Sequence, residues 1–178
     1  MTQPNTILSG EHVVLRNIEP DDLERLRQWR NRPAYRQFFR EYRDITKQMQ
    51  QNWYEKTVLA DATVRMFAIT QKRGGKLLGA CGLCYIDQQN ASADFSIYLG
   101  ADDLYIDQKF APETGRLLLQ YGFEQLHLHR IWAEIYAVDT AKQKLLPQLG
   151  FVLDGRHLEA HRMEDGTWTD CLFYGILE

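Results

Sequence analysis

Cys81-Gly82-Leu83-Cys84 has the C-x-x-C spacing of redox and zinc sites, and His157 with His161 gives the H-x3-H half of a zinc finger. Residues three apart in a strand point to opposite faces, so the two thiols of this apolar run diverge. The two halves are also too far apart for a finger. Buried structural cysteines are the favoured reading, with no metal. His127 and His129 flank the end of a long helical pattern. Either can act as a base near neutral pH, but a polar helix end is favoured. Asp102-Asp103 reads as a solvated pair in a turn. The signatures G-x-x-x-x-G-K-[ST], G-x-G-x-x-G and G-x-S-x-G do not occur, which removes the simplest nucleotide and hydrolase readings.

Two features keep chemical content. Between Arg25 and Arg43 stand seven arginines and one acid, Glu41, a surplus of +6 (seven less one). Arginine forks onto carboxylates and phosphates and stacks on aromatic rings. Trp29, Tyr35, Phe38, Phe39 and Tyr42 interleave with it, a pattern shared by single-strand nucleic-acid binders and by buried helix faces. The second feature is the strand-like Ser92 to Leu99, then a loop, then a helix with Pro112 in its first turn. Free backbone N–H groups and the helix dipole converge at such a junction. A phosphate-bearing cofactor is therefore expected at Ile106 to Ala111.

The elements that must position these groups alternate. His12 to Asn17 reads as a strand. Asp21 or Asp22 caps a helix carrying Leu23, Leu26 and Trp29, which Pro33 stops. Asp44 or Thr46 caps another with Met49, Trp53, Val58 and Leu59. Val64 to Gln71 and Lys76 to Ile86 form a hairpin about Arg73-Gly74-Gly75. After the long helix from Pro112 come a strand, Arg130 to Val138, and a helix, Thr140 to Leu149, closed by Gly150. A last hairpin turns at Asp165-Gly166. The order β-α-α-β-β-β-α-β-α-β-β predicts a mixed sheet with helices packed on it, an α/β or α+β three-layer fold. At 178 residues, 44% apolar and 25% charged, the expectation is a single domain, 1–178. The net charge of −3 excludes a strongly basic nucleic-acid coat protein. Three cysteines, no signal-like start and no span of about 20 apolar residues give a reduced, cytoplasmic protein as the expectation, away from membranes.

LRNIEPDDLERLRQWRNRP, KLLGACGL, LHRIWAEIYAVDTAKQKLLPQLGFVLDG and EDGTWTDCLFYGIL, in this order, resemble the GNAT acyltransferase family, most closely its branch of ribosomal-protein N-terminal acetyltransferases. The resemblance spans nearly the whole chain. It implies a splayed sheet of seven strands flanked by about four helices, with acetyl-CoA as cosubstrate, no metal, and transfer of acetyl to a primary amine: a small amine, an amino sugar or a peptide N-terminus. The backbone of Phe95, Ser96, Ile97, Tyr98 and Leu99 would pair with the pantetheine arm. Ile106, Asp107, Gln108, Lys109, Phe110 and Ala111 would hold the pyrophosphate, with Asp139 and Lys142 at the cofactor after the next strand. Asp94 and Glu134 are the candidate bases, and Tyr136 a candidate proton donor. Arg30 and Arg36 border the acceptor side and would recruit an acidic acceptor. Family members often dimerise, and the aromatic content permits a homodimer.

Three positions depart from the family pattern. Asp107 and Lys109 stand where the pyrophosphate loop usually has glycine. Asp139 and Lys142 replace Asn and Ser. Leu146 replaces the tyrosine that protonates the leaving thiolate. The alternative is therefore a non-catalytic GNAT-like module that binds CoA or a partner.

Overall fold

The computed structural model describes residues 6–178. Its strands are β1 (Leu8–Ser9), β2 (Val13–Asn17), β3 (Arg65–Gln71), β4 (Leu77–Asp87), β5 (Ser92–Leu99), β6 (Arg130–Tyr136), β7 (Val152–Arg162) and β8 (Trp168–Leu177). They form one sheet in the order β1-β2-β3-β4-β5-β6-β8-β7. The eighth strand, beyond the seven expected, is β1. Two residues carry no periodicity to read, and it exists by pairing Leu8 with Leu15. Neighbours are antiparallel except β5 and β6. A parallel pair needs a long crossover, and the helix between β5 and β6 supplies it.

The helices are α1 (Leu23–Arg30), α2 (Pro33–Arg36), α3 (Lys47–Trp53), α4 (Phe110–Gln120) and α5 (Thr140–Gln148). α3 and α4 run on through wider turns, Tyr54–Val58 and Tyr121–Gln125. Local chemistry sets the ends. Thr46 accepts from the Met49 N–H at 3.1 Å, while Asp44 turns to Arg36. Pro33 does end α1, and then opens α2 as its first residue. The cap expected from Asp21 or Asp22 is not made on α1. Asp22 is buried, accepts from the Glu19 N–H at 2.9 Å and takes the Arg16 fork at 2.7 and 2.8 Å. Its oxygens are spent there.

Alternation along β5 sends Ile97 into the core, while Asp94, Ser96 and Tyr98 face the other way. Phe67, in the same core layer, packs edge-on against Tyr121 at the end of α4. On the opposite face Tyr98 meets Phe39, and Gly100 lies under Trp29 of α1, where a Cβ would fall 2.1 Å from the indole. Helices thus cover both faces, the three-layer arrangement expected.

Candidate active site

β5 and β6 pair only at Ser92↔Arg130, Ala93↔Ile131 and Asp94↔Trp132. Beyond Asp94 each strand follows its other neighbour. β5 stays on β4 as far as Leu99, and β6 stays on β8 as far as Tyr136. The sheet therefore opens as a wedge whose apex is Asp94. A cavity of about 380 Å³ lies there, lined by Asp94, Ser96 and Tyr98 from β5, Glu134 from β6, and Lys142 and Leu146 from α5.

One guanidinium spans the opening. Arg40 donates to Asp94 at 3.1 Å and to Glu134 at 3.2 Å. Asp94 is 7% exposed. Burial pushes its carboxyl up to about 6, because the desolvation of the charged form outweighs the opposing charges of Arg40 and Lys142. Burial likewise holds the Lys142 ammonium below the usual lysine range, against the pull of Asp139 and Asp94. Asp139 is 1% exposed. It caps α5 by accepting from the Lys142 N–H at 3.0 Å, and lies 3.9 Å from the Lys142 Nζ. Its other oxygen accepts from the Tyr105 hydroxyl at 2.7 Å. Tyr105 stacks on Phe38 and bridges the loop after β5 to the start of α5.

The loop before α4 has an anion of its own. Asp107 Oδ1 accepts from the N–H groups of Phe110 and Ala111, both at 2.8 Å. A carboxylate at a helix N-terminus satisfies free donors and the dipole as a phosphate would. Gln108 and Lys109 are exposed, and the Lys109 ammonium rests 5.2 Å over the Phe110 ring. Ile106 packs against the core.

The remaining candidates fall in different places. Phe95, Ile97 and Leu99 are buried side chains, so only their backbone is available to a ligand. The Leu99 N–H already donates to the Tyr105 carbonyl at 2.8 Å. Tyr136 stacks on His161 with ring centres 3.9 Å apart, off the cavity wall, and burial raises its phenol. Arg30, the last residue of α1, lines the cavity. Arg36 does not line it. It pairs with Asp44, and with Glu164 at 3.1 Å. The sequence reading missed Arg40 and Tyr105 as site groups. Arg40 lay unmarked within the arginine run, and no spacing signals Tyr105. Cys81, Cys84 and Cys171 are free thiols, and His157 leans on Phe173. Among the described residues no group of three or more His, Cys, Asp or Glu is placed to hold a metal. No described helix is long and apolar enough to cross a membrane.

A sheet split between two parallel strands, with a buried carboxylate at its apex, defines an acyltransferase-like site. Residues 12–152 match the acetyltransferase (GNAT) domain, and the chain belongs to that family. It is 27% identical over 173 residues to the uncharacterized N-acetyltransferase p20 of Bacillus licheniformis, covering 96% of each chain. It is 26% identical to the putative ribosomal N-acetyltransferase YdaF of Bacillus subtilis (strain 168), covering 95% of this chain and 93% of that one. Among solved structures, the spermidine N-acetyltransferase of Vibrio cholerae superposes with a TM-score of 0.83 at 24% identity, over 93% of this chain and 95% of that one. A GNAT-family acetyltransferase of Bacillus anthracis gives 0.81 at 19%, over 97% and 98%.

The residues fit an acetyl-CoA cosubstrate in one part and not in another. The open edge of β5 beyond Asp94 suits an extended arm added as a strand. The loop before α4 does not suit a diphosphate as it stands, because Asp107 already sits on the Phe110 and Ala111 amides.

Proposed function

We propose that this chain is an acetyl-CoA-dependent N-acetyltransferase acting on a primary amine, and that 1–178 is one such domain. The observation that carries the reading is Asp94. It is a buried carboxylate ionising near pH 6 at the point where β5 and β6 part, on the wall of the cavity that opens there. Acetyl-CoA supplies an activated acetyl thioester. The backbone of Phe95 to Leu99 holds its arm. Asp94 accepts the proton that the acceptor ammonium must lose, and it is ionised at neutral pH. Arg40 fixes the carboxylate and ties it to Glu134, which keeps a second acceptor oxygen at the same opening. The thiolate needs a donor, and Leu146 offers none. Tyr136 remains the candidate only if its stack on His161 opens. Asp139 and Lys142 border the thioester end.

The position beside the ribosomal-protein N-terminal acetyltransferases belongs to this proposal and is supported by the 26% identical Bacillus subtilis relative. A polyamine acceptor, as in the Vibrio cholerae structure with CoA and spermine, is disfavoured here. Asp94 and Glu134 neutralise Arg40 on the cavity wall, and the unpaired Arg30 guanidinium there would repel a polyamine. A cytoplasmic setting is proposed from the three free thiols. A homodimer is proposed from the exposed Val152, Leu158 and Trp168 of the outer hairpin, and light scattering tests it.

A second reading has its own observation. Asp107 occupies the amides a diphosphate would use, which favours a module that has given up CoA. Thermal shift with acetyl-CoA and with CoA separates the two. Stabilisation with thiol release against an amine panel supports the enzyme, and stabilisation without release, or none at millimolar ligand, supports the module.

A further inference from the structure

The arginine run between residues 25 and 43 resolves into three groups. Five of the seven are neutralised within the fold. Arg27 pairs with Glu24, Arg32 with Asp103, Arg36 with Asp44 and Glu164, Arg40 with Asp94 and Glu134, and Arg43 with Glu41. Arg25 is exposed on the outside of α1. Arg30 is neither. Its guanidinium lies 4.1 Å over the Phe39 ring and 5.9 Å from the Tyr98 ring, on the cavity wall. Its Nε is buried with no hydrogen-bond partner, an arrangement that costs free energy unless something completes it. The nearest acid in effect, Glu41, is held by the Arg43 fork at 2.7 and 2.8 Å and forms no ion pair with Arg30. An arginine stacked on rings with an idle donor edge is a seat for a planar anion.

We infer that the acceptor is an amine that also carries an anionic group, which Arg30 binds while the amine lies at Asp94. The inference takes from the acetyltransferase reading only the placement of the amine. The two anchors are separated. Tyr98, beneath Arg30, is four residues along β5 from Asp94, roughly 13 Å of strand. Allowing for the reach of both side chains, amine and anion stand on the order of 10 Å apart. An α-amino acid is too short. A peptide with its N-terminus at Asp94 and a carboxylate one or two residues on has the required reach, as does an amino sugar bearing a carboxylate or phosphate. The cavity lining also carries the apolar side chains of Phe39, Ile45, Met49 and Met66, which suit a connecting body that is not highly charged.

Calorimetry with ω-amino carboxylates of two to nine carbons, without acetyl-CoA, reads this on the unaltered protein. Affinity should rise with length and peak near seven to nine carbons. Octylamine should bind at least 10-fold more weakly than 8-aminooctanoate, and an ω-aminoalkyl phosphate should match the carboxylate. Arg30→Met should erase the difference between acid and plain amine, and Arg25→Ala should keep it. Equal binding of octylamine and 8-aminooctanoate, or a preference for glycine-length acids, would overturn the inference. Because acetyl-CoA is absent, failed transfer would count against the enzyme reading and leave this result standing.

Discussion

Arg40→Met should move the ionisation of Asp94 upward. Within ion-pair distance, the only cation beside that carboxylate among the described residues is Arg40, at 3.1 Å. Removing it disfavours the charged form, so the pKa rises. The size follows from the geometry. The Arg40 side chain is 46% exposed, so the attraction is well screened. With charge centres about 4 Å apart and an effective dielectric constant of about 60, it is worth about 1.4 kcal/mol, or about one pH unit. The acid limb of kcat/KM for thiol release should shift from about 6 to roughly 7. At pH 6.5 the ionised fraction would fall from about three quarters to about one quarter, a roughly 3-fold loss of rate, and at pH 8.5 the two proteins should agree. Carboxyl carbon chemical shifts titrated by NMR report the same change without turnover. A midpoint that stays in place or falls would refute the assignment of Asp94 as the group whose charge Arg40 supports.

Asp94→Asn should lower kcat/KM by about 10² to 10⁴ and yet stabilise the protein at pH 8. The folded pKa is raised above the unfolded one, so ionisation weakens the fold as pH climbs from 4 to 6. The variant's advantage should be up to about 3 kcal/mol above pH 7 and vanish near pH 4, as denaturant melts would show; a variant less stable at pH 8 would contradict it. Asp107→Gly should tighten acetyl-CoA binding about 10-fold or more in calorimetry, by removing a negative charge and freeing two amides. It should also cost about 1 kcal/mol through the lost helix cap. Gly79→Ala should lower the melting temperature, because its Cβ would lie 2.1 Å from the Tyr98 carbonyl oxygen. A loss of roughly 1–3 kcal/mol is expected, and an unchanged melting temperature would show that β4 and β5 part easily.

Much of the fold was legible because periodicity and punctuation agreed. Gly74-Gly75, Pro112 and Gly150 all mark real boundaries, and β3, β4, β5 and β6 lie within two residues of the expected ranges. The start of α1 falls where expected, directly after Asp22, but the Asp22 side chain makes no capping bond because it is held by Arg16, a contact no local pattern reveals. The site was legible in part. Asp94 and Glu134 were reachable through the family resemblance, which put both strands beside the cofactor. The Arg40 bridge between them was not, since it joins a loop to two strands far away in sequence. Asp107 was marked as a departure from glycine in the phosphate loop, and its hydrogen bonds to Phe110 and Ala111 could be known only once the loop was folded. The arginine run shows the limit of composition most clearly. A surplus of +6 over residues 25–43 reduces to one unpaired guanidinium in the cavity, because five of the seven find carboxylates in the fold.

The most direct test of the central claim is amine-dependent release of free thiol from acetyl-CoA by the purified protein at pH 8, run beside Asp94→Asn. The account predicts release that saturates with amine in the parent and falls by at least 100-fold in the variant. Equal release from both proteins, or none from the parent with any amine, would contradict it.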